Sequence, residues 1–145
     1  MEDPIILCTG GFDAVPAYQS EGASGADIRA RLDQDLVLAP GARALIPTGL
    51  HLQIPRGLEA QVRPRSGLAV RHGISILNAP GTIDSDYRGE VQVLLVNMGR
   101  EEYRIRSGDR IAQLVFSHVV RVSFQSQPRI DETARGGGGF GSTGI

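Results

Sequence analysis

The chain has 145 residues and 15.5 kDa, with 15 basic and 16 acidic side chains and a formal net charge of −1. That balance excludes a protein drawn to nucleic acid or to an anionic membrane by its overall field. The single cysteine, Cys8, excludes an internal disulfide and a Cys-based metal cluster, and no apolar run approaches the roughly 18 residues of a membrane-spanning helix.

The chain opens on Met1-Glu2-Asp3-Pro4, acidic where a secretory leader is basic, so it reads as cytoplasmic. Next comes the apolar run Ile5–Cys8, in which Cys8 reads as a small core hydrophobe. Ala23-Ser24-Gly25-Ala26-Asp27-Ile28-Arg29-Ala30 reads as a turn leading into a strand. Short alternating or apolar runs bounded by Gly and Pro then recur at Leu36–Leu38, Ala44–Pro47, Leu50–Pro55 and Glu59–Arg63. Ser66–Gly73 is the one helix candidate, two turns at most, with Ser66 placed to cap it and Gly73 to end it. Further runs follow at Ile74–Leu77, Val91–Asn97, Tyr103–Ile105 and Ile111–Phe124. Strands at this spacing, with turn signals between them, predict an all-β sandwich or barrel. From Pro128 the character changes: Arg129–Arg135 leads into the glycine-rich stretch 136–145, which buries too little to offset its backbone entropy. The organisation expected is one β-barrel domain over 1–128 with a flexible C-terminal arm over 129–145.

Several segments carry more chemistry than a β scaffold needs. Gly81-Thr82-Ile83-Asp84-Ser85-Asp86-Tyr87-Arg88-Gly89-Glu90 packs carboxylates, a phenol and a guanidinium between two glycines, and such groups are costly among strands unless paired, solvated or at work. Asn78 precedes it, and its amide can donate and accept at once. In Pro64-Arg65-Ser66-Gly67-Leu68-Ala69, Arg65 and Ser66 stand where a strand meets a helix, which suits an anion but equally an ordinary capped helix. Gly108-Asp109-Arg110-Ile111-Ala112-Gln113-Leu114 makes a tight turn and a strand presenting Gln113, which by itself is compatible with a solvent-facing amide. In the tail, Arg135, Phe140, Ser142 and Thr143 stand among glycines that let backbone N–H groups approach a phosphate, with Phe140 offering a flat face to a base; a disordered solubilising terminus is the plainer reading.

Taken in order, these five segments resemble the five motifs of the trimeric dUTP diphosphatases (dUTPases) of bacterial type, and they span nearly the whole chain. The resemblance implies a jelly-roll-like distorted β-barrel and hydrolysis of dUTP to dUMP and diphosphate, which limits uracil incorporation into DNA and supplies dUMP. It also implies a homotrimer with shared sites and the arm of one chain closing over nucleotide bound elsewhere. Asp84 is then the base that activates water. Tyr87 packs under the deoxyribose, and Asn78 with the backbone of Gly81, Thr82 and Ile83 reads uracil. Arg65 and Ser66 meet the triphosphate and Gln113 bonds water or phosphate, while Phe140 covers the base and Arg135, Ser142 and Thr143 close on the outer phosphates; Gly67 and Gly141 belong to the same substrate-binding set. Mg²⁺ is expected mainly on the substrate phosphates, with Asp27 and Gln113 reaching it only through water. Asp86 is left without a role beyond pairing with Arg88 or a neighbouring chain, and both read as structural support. The alternatives are a dCTP deaminase-like enzyme on the same fold, argued against by the Tyr87 segment and the arm, and a nucleotide-binding regulatory protein.

Overall fold

A computed structural model describes residues 3–144; Met1, Glu2 and Ile145 lie outside the described residues. The elements are β1 (Leu7–Thr9), a 3-10 turn (Phe12–Ala14), β2 (Ala17–Tyr18), β3 (Ala26–Arg29), β4 (Leu36–Leu38), β5 (Arg43–Gln53), β6 (Leu58–Arg63), α1 (Ser66–His72), β7 (Ile74–Ile76), β8 (Gly81–Ile83), β9 (Glu90–Asn97), β10 (Tyr103–Ile105) and β11 (Arg110–His118). They form antiparallel sheets ordered β1-β5-β9-β7 and β2-β3-β11-β6-β8, with β10-β4 as a small third sheet. This is the expected all-β, jelly-roll-like architecture with one short helix. No helix among the described residues is long and apolar enough to cross a membrane.

Alternation explains why these segments pair. Along β9, Val91, Val93 and Leu95 point inward, opposite Leu50, Ile46 and Ala44 of β5 respectively. From the other sheet Ile28, Val62, Ile111 and Leu114 close the same core. A residue of this kind contributes about 1.5–3 kcal/mol when fully buried, enough to set the strand faces.

Two irregularities matter for function. In β5, Pro47 pairs with Gln92 while Leu50 pairs with Val91, so Thr48 and Gly49 are extra residues. Two extra residues preserve the in-out alternation, and the runs expected at 44–47 and 50–55 therefore join into one strand. In β11 a single extra residue lies between Arg110 and Ala112, and the alternation flips there.

Other expectations need correction. Arg65, in extended geometry, is the N-cap of α1 and makes no side-chain cap bond; Ser66 is already the first helical residue. Gly73 ends the helix at φ 67 as expected. The strand begun at Arg110 stops at His118, not Phe124, because its partner β6 begins at Leu58, opposite His118, and offers no strand beyond it. Val120, Val122 and Phe124 are left alternating but exposed. Cys8 lies half-buried on the edge strand β1, packed against the core from outside.

Candidate active site

Chain geometry gathers the chemistry-bearing residues into two groups on the barrel and leaves the arm apart from both.

The first group surrounds a cleft of about 260 Å³ lined by Asn78, Gly81, Thr82, Ile83, Asp84 and Tyr87, together with Leu45, Glu90, Gln92 and Leu94. Strand β8 forms one wall by pairing with β6, Gly81 opposite Val62. Gly81 is there for space: a Cβ on it would lie 3.2 Å from Val62 Cβ and 3.3 Å from the Asn78 amide nitrogen. After β8 the chain turns through Asp84–Glu90, and this turn is fastened from within. Tyr87 N–H donates to the Asp84 carbonyl at 3.1 Å. The Arg88 guanidinium donates to the carbonyls of Ser85 (2.7 Å) and Tyr87 (2.9 Å), so it supports the backbone and does not pair with Asp86. His51 Nδ1, carrying its proton, donates to the Arg88 carbonyl at 3.0 Å. From the β5 bulge the Gly49 N–H donates to Glu90 Oε1 at 2.8 Å.

The Tyr87 ring is held by its own loop, its hydroxyl donating to the Glu90 carbonyl at 2.9 Å. It lies across the place where a Cβ of residue 89 would stand, so Gly89 is needed for the ring to fold down. The sequence names Gly89 and Glu90 within this segment and Gln92 within the following strand, but local pattern alone gives none of them a role in the site. Asp84, in contrast to its neighbours, is exposed, and its carboxylate has no hydrogen bond or ion pair among the described residues. It is an acceptor open to water beside an apolar-floored cleft.

The second group lies where α1 meets β3 and β11. Asp27 on β3 is 8% exposed and is gripped by Arg65 Nε at 3.2 Å and Arg110 Nη1 at 3.1 Å. Gln113 is the register partner of Asp27. Its amide nitrogen donates to the Pro64 carbonyl at 2.9 Å, leaving Oε1 as its free acceptor against Gly25, which has no Cβ to block it. Ser66 and Gly67 are exposed, and a Cβ at Gly67 would touch nothing in the chain. Tyr103 packs against His72 at a tilt of 44° (centroids 4.9 Å apart), bracing the far end of α1. Burial, aided by the Asp109 charge and opposed by Arg65, raises the Tyr103 hydroxyl above its ordinary 10.0, so it stays neutral.

Among the described residues no group of three or more His, Cys, Asp or Glu is placed to hold a metal. Asp27 and Gln113 Oε1 are hard oxygen donors on paired positions, which suits Mg²⁺ only where phosphate and water complete its shell.

None of Asp27, Arg65, Ser66 or Gln113 lines the cleft that holds Asp84 and Tyr87. Among the described residues the arm reaches neither group. Its hydrogen bonds are local, such as Arg135 Nε to the Gly138 carbonyl at 2.8 Å, and Phe140 is fully exposed with φ 48. Gly141, Ser142 and Thr143 are likewise exposed.

The sequence profile described as dUTPase matches residues 13–144. A deoxyuridine 5'-triphosphate nucleotidohydrolase of Rhizobium etli is 59% identical over 143 residues, covering 97% of this chain and 92% of that protein. One from Brucella melitensis biotype 2 is 58% identical over 136 residues, covering 92% and 86%. Among solved structures, the dUTPase of Staphylococcus bacteriophage 80alpha with dUpNHpp superposes with TM-score 0.87 at 24% identity, covering 99% of this chain and 100% of that one. A variant dUTPase of phage phi11 of S. aureus, described as coordinating a structural Mg(II) ion, superposes with TM-score 0.77 at 21% identity, covering 87% and 98%. At that identity the likeness concerns the fold.

Proposed function

The chain belongs to the dUTPase family, and from that premise we propose that it hydrolyses dUTP to dUMP and diphosphate by in-line attack of water on the α-phosphorus. The observation that carries this reading is the unpartnered Asp84 carboxylate at the rim of a cleft bounded by Asn78 and a fixed Tyr87 ring. Asp84 accepts the proton of the attacking water, a contribution of about 10²–10⁴-fold for a placed general base. Asn78 and the backbone of Gly81, Thr82 and Ile83 read the uracil edge. The Tyr87 ring lies against the deoxyribose and excludes a 2′-hydroxyl by bulk, a filter that an apolar wall alone supplies only to about 10².

Arg65, Ser66, Gly67 and Gln113 receive the phosphates. Mg²⁺, when bound, draws charge from the phosphate oxygens, with Asp27 and Gln113 as oxygen acceptors for its hydrating waters. Arg135, Ser142 and Thr143 close on the outer phosphates, and Phe140 with Gly141 covers the base.

The active form is a homotrimer in which the 1–128 barrels share sites and the 129–145 arms cap them. Three observations support it. The base-reading and phosphate groups do not share a cleft within one chain; the arm touches neither; and Val120 (85% exposed), Val122 and Phe124 present an unpaired, alternating apolar face. The enzyme then serves the cytoplasmic nucleotide pool.

Diphosphate release measured for dUTP, UTP, dTTP and dCTP, with and without Mg²⁺, tests the reading. Preference for dUTP is expected. Equal rates on all four would overturn it, and ammonia release from dCTP would assign the fold to deamination instead.

A further inference from the structure

The single extra residue in β11 has a local effect on the outer face of the barrel. Arg110 and Gln113 are three residues apart, and on a regular strand residues an odd number apart face opposite sides. Here Arg110 is in register with Arg29 and Gln113 with Asp27, so both lie on the face that carries Asp27. The bulge sends Ile111 and Ala112 together into the core and lets Arg110 emerge beside Asp27. Bulges that re-aim a side chain in this way recur next to active sites.

The resulting contacts run through Arg110 twice. Its Nη1 lies 3.1 Å from Asp27 Oδ2, and its backbone carbonyl accepts from Arg65 Nη1 at 3.2 Å. Arg65 Nε meets the other oxygen of Asp27 at 3.2 Å. Arg65 Nη2 has no protein partner among the described residues, and the side chain is 26% exposed. Arg65 and Asp27 alone would be a neutral pair, its cation spent on its own carboxylate. A second guanidinium on that carboxylate leaves the cluster with one net positive charge. It also keeps the nearly buried Asp27 paired when Arg65 turns its remaining donors outward; stripping a buried charge of its partner is strongly destabilising.

We infer that Arg110 is a positioning residue for the triphosphate: through its carbonyl and through Asp27 it aims Arg65, and its charge makes the cluster attractive to an anion. It makes no substrate contact itself. This rests on the reading of Arg65 as a phosphate ligand.

The test uses the full-length protein and calorimetric binding of dUpNHpp and of dUMP, which lacks the outer phosphates. Arg110→Met should weaken dUpNHpp by about tenfold or more while dUMP binding stays within about twofold. Arg110→Lys should restore most of the loss, because a single nitrogen makes the contact to Asp27. In an Asp27→Asn background the Met substitution should add less than about twofold, since its main route has gone. Arg110→Gln, which keeps a donor and loses the charge, is read the same way if the Met variant does not fold. Unchanged dUpNHpp affinity, or an equal loss for dUMP, would overturn the inference. Arg65→Met separates the two layers. If it weakens dUpNHpp while Arg110→Met and Arg110→Gln do not, the inference fails alone. If Arg65→Met has no effect, the phosphate reading fails and takes the inference with it.

Discussion

The Gly81–Glu90 turn and the C-terminal arm both combine polar groups with glycine, yet they stand at opposite ends of preorganisation. The turn is braced by Arg88, His51, Glu90 and the Tyr87 hydroxyl, all bonded to backbone. Among the described residues the arm bonds only to itself and buries almost nothing. A group that must act on a water molecule or exclude a hydroxyl has to be in place before substrate arrives, because its geometry is the catalytic or selective effect. A group that closes over phosphates can be ordered by those phosphates, the ordering entropy being met from binding.

That contrast can be broken at several points. The largest effect is expected at the turn itself: Asp84→Asn should lower kcat by about 10²–10⁴-fold with little change in KM, and turnover within about threefold of the wild type would remove Asp84 as the base. Next is removal of residues 129–145. Losing several charge-assisted contacts should cut kcat/KM by about 10²-fold while melting temperature and the mass of the assembly stay as they were. A truncated chain that failed to fold would make the arm structural and erase the contrast. Smaller again is Gly89→Ala, which displaces the Tyr87 ring without touching its chemistry and should reduce discrimination against UTP by about tenfold. An unchanged dUTP/UTP ratio would mean that the ring is not the filter. Tyr103→Phe is the smallest perturbation. The Tyr103 proton is held above its ordinary 10.0, so the folded state releases it later than the unfolded chain. Stability is therefore whole below about pH 10 and falls as pH rises through the folded value. The phenylalanine variant should show a shallower loss of melting temperature there, and an identical alkaline slope would dismiss the assignment.

How much of this was legible in advance differs by residue. The strand runs and the helix over 66–72 follow from local alternation and from Gly73, which ends the helix in a left-handed conformation that costs glycine little. Asp84 and Tyr87 were legible because charge and phenol are conspicuous within β-structure. Gly89 was not, because its role is the absence of an atom where a ring from two residues earlier must lie. Nor was Arg88 separable from Asp86, since both pairing with a carboxylate and bonding to carbonyls satisfy a guanidinium.

By itself, the sequence determined the all-β class, the break in character near Pro128 and the five chemistry-bearing segments, because those rest on periodicity, composition and residue type, which are local properties. Tertiary structure alone decided which segments meet. The insertion of two residues in β5 and of one in β11 have opposite consequences for side-chain facing, and neither is visible until a partner strand supplies the register. Only then do Asp27, Arg65, Arg110 and Gln113 form one cluster, since pairing across a sheet joins residues that are dozens of positions apart in the chain.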